Sequence, residues 1–138
     1  MNHTNSNILL IVMLISLLIN ISEAGILTKT IEVRAINALT NGKNVQVHCR
    51  SKDDDVGLQD IPKGEEYSFS LEPGVLGNTL YSCDFKWDNN SKKFDIFVQQ
   101  RDSATCRQEI CRWEIKEFGP CLYSYSREKF DICYNWKK

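Results

Sequence analysis

Histidine is nearly absent from this chain of 138 residues: there are two, His3 and His48. That shortage closes off several kinds of chemistry. Zinc sites combine several Cys or His ligands at close spacing, and the six cysteines contain no C-x2-C pair. A secreted ribonuclease that moves protons between two histidines has no second one to use once His3 is set aside. A Ser-His-Asp or Cys-His relay would rest on His48 alone, on a predicted strand. Carboxylate pairs of the kind that hydrolyse glycosides are compatible with 18 acidic residues, but no spacing singles one out. The expectation is no enzyme, no metal and no cofactor, with His48 a polar strand residue.

Charge of one sign is also lacking. The formal net charge is −1, far from the lysine and arginine surplus that displaces counterions from nucleic acid. No nucleic-acid partner is expected. Long apolar runs are missing except at the start. Ile8 to Ile21 is aliphatic apart from Ser16 and Asn20, and Ser22-Glu23-Ala24-Gly25 follows as a small-x-small cleavage pattern. Residues 1–24 therefore read as a secretory signal, although the segment before Ile8 has no Lys or Arg. Its apolar run is short for a membrane span, which takes about 20 residues.

Without that segment, 114 residues remain, with 17 basic and 17 acidic side chains and all six cysteines. The expected product is one neutral, secreted domain over 25–138, not embedded in a membrane. This length permits a real core. In an oxidising compartment the six cysteines, Cys49, Cys83, Cys106, Cys111, Cys121 and Cys133, read as three disulfides supporting that core.

Helical periodicity is missing too; the mature chain alternates with period two instead. Ile31, Val33 and Ala35 alternate with polar neighbours, as do Val45, Val47 and Cys49. Asn41-Gly42 lies between these runs and predicts a hairpin over 30–50. Further runs are Tyr67–Leu71, Tyr81–Trp87, Phe94–Val98 and Cys111–Lys116, then, after a break at Gly119-Pro120, Cys121–Tyr125 and Phe130–Tyr134. About eight short, regularly spaced strands predict an antiparallel β-sandwich. Trp87 and Trp113 are expected in its core, and Trp136 as a lid or contact residue.

Two polar features stand out. Lys52-Asp53-Asp54-Asp55 lacks the alternating acids and flanking helices of an EF-hand and reads as a solvated turn. Asn89-Asn90-Ser91 is a glycosylation sequon in a predicted exposed turn, which makes Asn89 the expected glycan site.

The order of motifs resembles the plant self-incompatibility protein family, the S-protein homologues. Val47-His48-Cys49-Arg50-Ser51-Lys52-Asp53-Asp54-Asp55-Val56-Gly57 matches the family's V-H-C-K/R-S-K-D-D-D-L-G stretch, with Val56 in place of leucine. Gly64 with Tyr67-Ser68-Phe69-Ser70, then Gly77 to Trp87, then Phe94-Asp95-Ile96-Phe97 follow in family order. Arg101-Asp102, Cys106, Cys111-Arg112-Trp113, Gly119-Pro120-Cys121 and Phe130 to Trp136 complete a match over roughly 32–136.

The resemblance implies a small secreted plant protein with a β-sandwich fold. The founding members, in poppy, are stigma-secreted ligands of a pollen membrane protein that arrest incompatible pollen tubes. The implied partner is a plasma-membrane receptor-like protein; a secreted defence or toxin-like role is the alternative. Loops at the ends of the sandwich are where recognition is expected: Lys52–Gln59, Asp88–Lys93 and Gln99–Thr105, with Lys52, Asp53, Asp54, Asp55, Lys92, Lys93, Arg101 and Asp102 as contacts. Cys121 pairs with Cys133 in this reading. The other four cysteines allow three pairings, and Cys49–Cys111 with Cys83–Cys106 is favoured.

Overall fold

The computed structural model describes residues 3–26, 29–106 and 109–138. The apolar start forms one helix, α1 (His3–Ile26). Its side chains from Ile8 to Leu18 are half or more exposed wherever they are large and apolar, so this stretch gains nothing from packing on the rest of the chain. Nine strands then follow among the described residues: β1 (Ile31–Asn37), β2 (Val45–Arg50), β3 (Asp55–Ile61), β4 (Glu66–Leu71), β5 (Leu80–Trp87), β6 (Asn90–Val98), β7 (Ile110–Lys116), β8 (Gly119–Ser124) and β9 (Lys129–Cys133). A single helical turn, α2 (Gln99–Asp102), separates β6 from β7.

The strands form two sheets, in the orders β4-β1-β7-β8-β9 and β3-β2-β5-β6. Every pairing is antiparallel except β1 with β7. The all-β, disulfide-braced sandwich expected from the alternation is therefore present, with one parallel pair inside it. The clearest alternation gives the clearest burial: β1 and β7 bury every second residue. Between the sheets lie Val33, Val47, Phe85, Phe97, Trp113, Ile115 and Leu122, each at most 1 % exposed. Trp87 is also buried. Trp136 packs against Phe85 and Trp87 at 5.2 and 5.9 Å and donates its indole N–H to the Glu117 carbonyl.

Residues 30–50 are not a hairpin. β1 and β2 belong to different sheets. The buried Asn37 side chain turns the chain from one to the other. Its amide nitrogen donates to the carbonyls of Lys43 and Ile61, both at 2.8 Å, and its oxygen accepts from the Leu39 N–H. Leu39 is then buried in the core, so the connection cannot close as a two-residue turn. Asn41-Gly42 still makes a local bend, with Gly42 at φ 75°.

β3 falls where the sequence predicts a loop, and Gly119-Pro120 where it predicts a break. β3 is an edge strand whose burial does not alternate, so period-two reading has nothing to detect. Gly119 and Pro120 lie inside β8, paired with Lys116 and Ile115. The β7–β8 turn is at Glu117-Phe118 instead.

The cysteine framework also differs. Cys49 is bonded to Cys83, Cys106 to Cys111 and Cys121 to Cys133. The favoured Cys49–Cys111 and Cys83–Cys106 pairs are wrong for a topological reason. β2 and β5 are neighbours, and their register sets Cys49 directly opposite Cys83. Cys111 sits in the other sheet, close in sequence to Cys106.

Candidate functional site

Strand direction sorts the loops onto two ends of the sandwich. β2 runs toward the turn 51–54 and β5 begins at Leu80, so the turn 51–54 and the loop 72–79 share one end. α2 joins them there: the Gln99 N–H donates to the Thr79 carbonyl, and its side chain bonds the Thr79 N–H and the Gly74 carbonyl. The Asp88-Asn89 turn lies at the opposite end, where Lys43 reaches Asp88. The three candidate loops are thus divided between the two ends.

The turn at Lys52–Asp54 is held from within. Ser51 donates its N–H to the Asp54 carbonyl at 2.8 Å, and its hydroxyl accepts from the Asp54 N–H at 3.1 Å. The Tyr81 hydroxyl donates to Asp54 at 2.7 Å. Burial pushes the Tyr81 phenol up, and the Asp54 carboxylate pushes it the same way. Lys52 and Asp53 remain exposed.

Facing this turn is the loop after β4. The Gly74 N–H bonds the Thr79 hydroxyl at 2.8 Å and the Gly77 N–H bonds the Gly74 carbonyl, so the tip is fixed. It holds Val75 and Leu76 outward, 102 % and 83 % exposed, with Leu80 close by at 42 %. Between turn and loop is an open cleft of about 560 Å3, lined by Asp53, Asp54, Glu72, Leu76, Leu80 and Tyr81 among others, with Lys52 the one cation. A second lobe of about 430 Å3 continues it past Asp54 and Glu72 to Ser70 and Thr30.

The other predicted contacts have different places. Asp55 opens β3 rather than lying in a loop, and its carboxylate meets His48 Nε2 at 2.6 Å. The Gly57 N–H and then His48 hold that carboxyl below its usual range. The hollow beside His48 is lined by Gln46, Arg50, Leu58, Asp84 and Lys86. Lys93 lies on the outer face of β6 and pairs with Asp84 at 3.4 Å, as Arg50 does at 2.5 Å. Lys92 is partly buried opposite Phe85. Asn89 is exposed in its turn.

Arg101 and Asp102, expected as loop contacts, are turned into the molecule instead. Asp102 is 0 % exposed and accepts from the Val98 N–H and twice from Arg101. The Arg101 guanidinium lies over the rings of Phe94, Trp113 and Tyr134 at 5.1, 5.3 and 4.9 Å and donates to the Asp95 carbonyl. The pair is an internal strut between α2 and the core. Conversely, Glu72, Leu76 and Tyr81 line the cleft and Val75 stands exposed beside Leu76, though the sequence pattern does not single them out. The available signal was an apolar dipeptide between Gly74 and Gly77, in a stretch without alternation.

This architecture has known relatives. The family model described as plant self-incompatibility protein S1 matches residues 32–136. S-protein homolog 2 of Arabidopsis thaliana is 41 % identical over 113 residues, 80 % of this chain and 69 % of that protein. S-protein homolog 20 of the same plant is 37 % identical over 131 residues, 94 % and 90 % of the two chains. A solved self-incompatibility protein homologue, from what is described as a widespread family of small, highly stable, secreted plant proteins, superposes with a TM-score of 0.59 at 16 % identity, covering 80 % of this chain and 97 % of that one. The chain belongs to the plant self-incompatibility protein S1 family, the secreted S-protein homologues.

Proposed function

We propose that this protein is an extracellular ligand that engages a receptor-like protein of the plasma membrane through the end of the sandwich that carries Lys52–Asp54 and Val75–Leu76. The observation behind this reading is the hydrogen-bonded loop that keeps Val75 and Leu76 in water beside a fixed acidic turn. Neighbouring apolar side chains held in water and rimmed by polar groups mark a protein contact surface. Residues 1–24 serve as the secretory address and are removed, leaving 25–138 as the active domain. Rejection of incompatible pollen is one setting for such a ligand, as it is for the founding members of the family.

The test is binding of the tagged, secreted protein to intact pollen and to protoplasts. Saturable, protease-sensitive binding that falls at least tenfold in a Lys52→Ala, Asp53→Ala, Val75→Ser, Leu76→Ser variant supports the reading. Unchanged binding by that variant, or binding that survives protease treatment of the cells, refutes it. A secreted chain also meets the glycosylation machinery, and Asn89 is its exposed sequon residue. An Asn89→Gln variant expressed in plant cells should lose the mass of one glycan. Because Asn89 is at the far end, its binding should be unchanged.

A further inference from the structure

The acidic, apolar-rimmed cleft has a chemistry of its own. Outside α1, the exposed large apolar side chains of the described residues are Leu58, Val75, Leu76, Leu80 and Phe118; Leu76 and Leu80 line this cleft, and Val75 precedes Leu76 on the same loop. Scattered apolar residues on a surface are ordinary, but a cluster on a fixed loop is not. Three carboxylates, Asp53, Asp54 and Glu72, line the cleft against the single cation Lys52. Asp54 is oriented by Tyr81, whereas no hydrogen bond to another side chain engages the carboxylates of Asp53 and Glu72 among the described residues. The cleft has two lobes that meet at Asp54 and Glu72, so it is long enough for a strip of chain rather than one side chain.

We infer that this cleft binds an extended segment of the partner protein in which a lysine or arginine adjoins aliphatic side chains, the cation meeting Asp53, Asp54 and Glu72 and the aliphatic groups packing on Val75, Leu76 and Leu80. This rests on the reading of the protein as an extracellular ligand and names the chemistry its partner must present. Charge complementarity selects this occupant over two others. A second copy related by a two-fold axis would set the same carboxylates against each other. A plant membrane surface with anionic headgroups would repel them, although Val75 and Leu76 alone could enter lipid.

The probe is a fluorescein-labelled octapeptide, Gly-Ser-Leu-Lys-Arg-Leu-Ser-Gly, blocked at its C-terminus, with a twin carrying Glu at both cationic positions. Both are titrated into the secreted, disulfide-bonded protein. The basic peptide should bind saturably, and the acidic twin at least tenfold more weakly. The Asp53→Asn, Glu72→Gln variant and the Leu76→Ser variant should each weaken binding about five- to tenfold. Raising salt from 0.05 to 0.5 M should weaken the wild type and hardly affect the Asp53→Asn, Glu72→Gln variant. These side chains support no other part of the fold, and amide NMR spectra of the variants report that they remain folded. The inference is overturned if the two peptides bind alike, if neither saturates below 1 mM, or if peptide-induced amide shifts fall outside 51–54 and 70–81. It is equally overturned if Leu76→Ser abolishes a dimer seen by sedimentation, or abolishes co-pelleting with phosphatidylcholine vesicles. A protein that binds cells through this end but ignores the peptide refutes the inference alone. One that binds the peptide but no cell surface refutes the ligand reading instead.

Discussion

Arg101 carries a charge in among three aromatic rings, and what makes that tolerable is the buried carboxylate beside it. Asp102 receives two of the three guanidinium bonds and the Val98 N–H with no exposed surface. Removing one partner of such a pair leaves the other buried and uncompensated, which costs about 3–5 kcal/mol. Asp102→Ala should therefore lose that much in urea unfolding. Arg101→Lys, which keeps the charge but not the planar fork or the ring stacking, should lose about 1–2 kcal/mol. An Asp102→Ala protein as stable as the wild type would remove the strut. In the sequence this pair looks the same as any exposed Arg-Asp in a loop; only the packing of α2 against Phe94 and Trp113 turns it inward. Asp84 and Asp95 work differently, on the outer face of the four-stranded sheet. Burial pushes both carboxyls up, but Arg50 and Lys93 on Asp84, and Ser82 and Lys137 on Asp95, outweigh it and hold both below the usual range. A carboxylate whose folded pKa is depressed contributes stability that is complete above its unfolded value, about 4, and is lost as pH falls through the folded value. Unfolding free energy measured by urea should hold level down to about pH 5 and drop below pH 4. The Asp84→Asn, Asp95→Asn variant should show a shallower drop; an equal slope would mean that these pairs do not contribute.

Among the elements, β8 depends most on a single atom's absence. Gly119 has φ 151°, and a Cβ there would meet the Tyr134 carbonyl oxygen at 1.9 Å. The Tyr134 N–H bonds the Pro120 carbonyl, so the tail is fastened at the point where it crosses the strand. The oxygen is backbone and cannot swing away. Gly119→Ala must lift the tail with Tyr134 and Trp136, and a loss of about 3 kcal/mol or more in thermal or urea unfolding is expected. A variant within 1 kcal/mol of the wild type would mean the tail can shift freely. The same element shows why the sequence was readable only in part. A strand buried on one face writes its pattern into the chain, as β1, β2, β5 and β7 do. A Gly-Pro pair in a strand reads as a break unless one knows that another backbone passes over it. β3 carries no pattern because an edge strand exposed along most of its length is not constrained to alternate. The acidic half of the cleft was visible as Lys52–Asp54, whereas its apolar half lay in a loop, where hydrophobicity has no period to reveal it.

At the scale of the whole molecule, no disulfide among the three fastens the middle of one sheet to the other. Cys49–Cys83 and Cys121–Cys133 each join neighbouring strands of one sheet, and Cys106–Cys111 closes a short loop at the edge of β7. The sheets are held together by the core, and the disulfides act by restricting the unfolded chain. That effect grows with the number of residues enclosed. The separations are 34 for Cys49–Cys83, 12 for Cys121–Cys133 and 5 for Cys106–Cys111. Chain entropy alone then gives about 4, 3 and 2 kcal/mol in that order. Replacing each pair by alanine should rank the three variants that way in urea unfolding. The first should fall furthest, because Cys49 and Cys83 are each 1 % exposed and their loss also leaves space in the core. The reverse ranking, with Cys106–Cys111 dominant, would mean that the α2–β7 corner rather than the paired strands limits the fold. That outcome would also bear on recognition, since α2 holds the Gly74–Thr79 loop through Gln99 and so sets where Val75 and Leu76 stand.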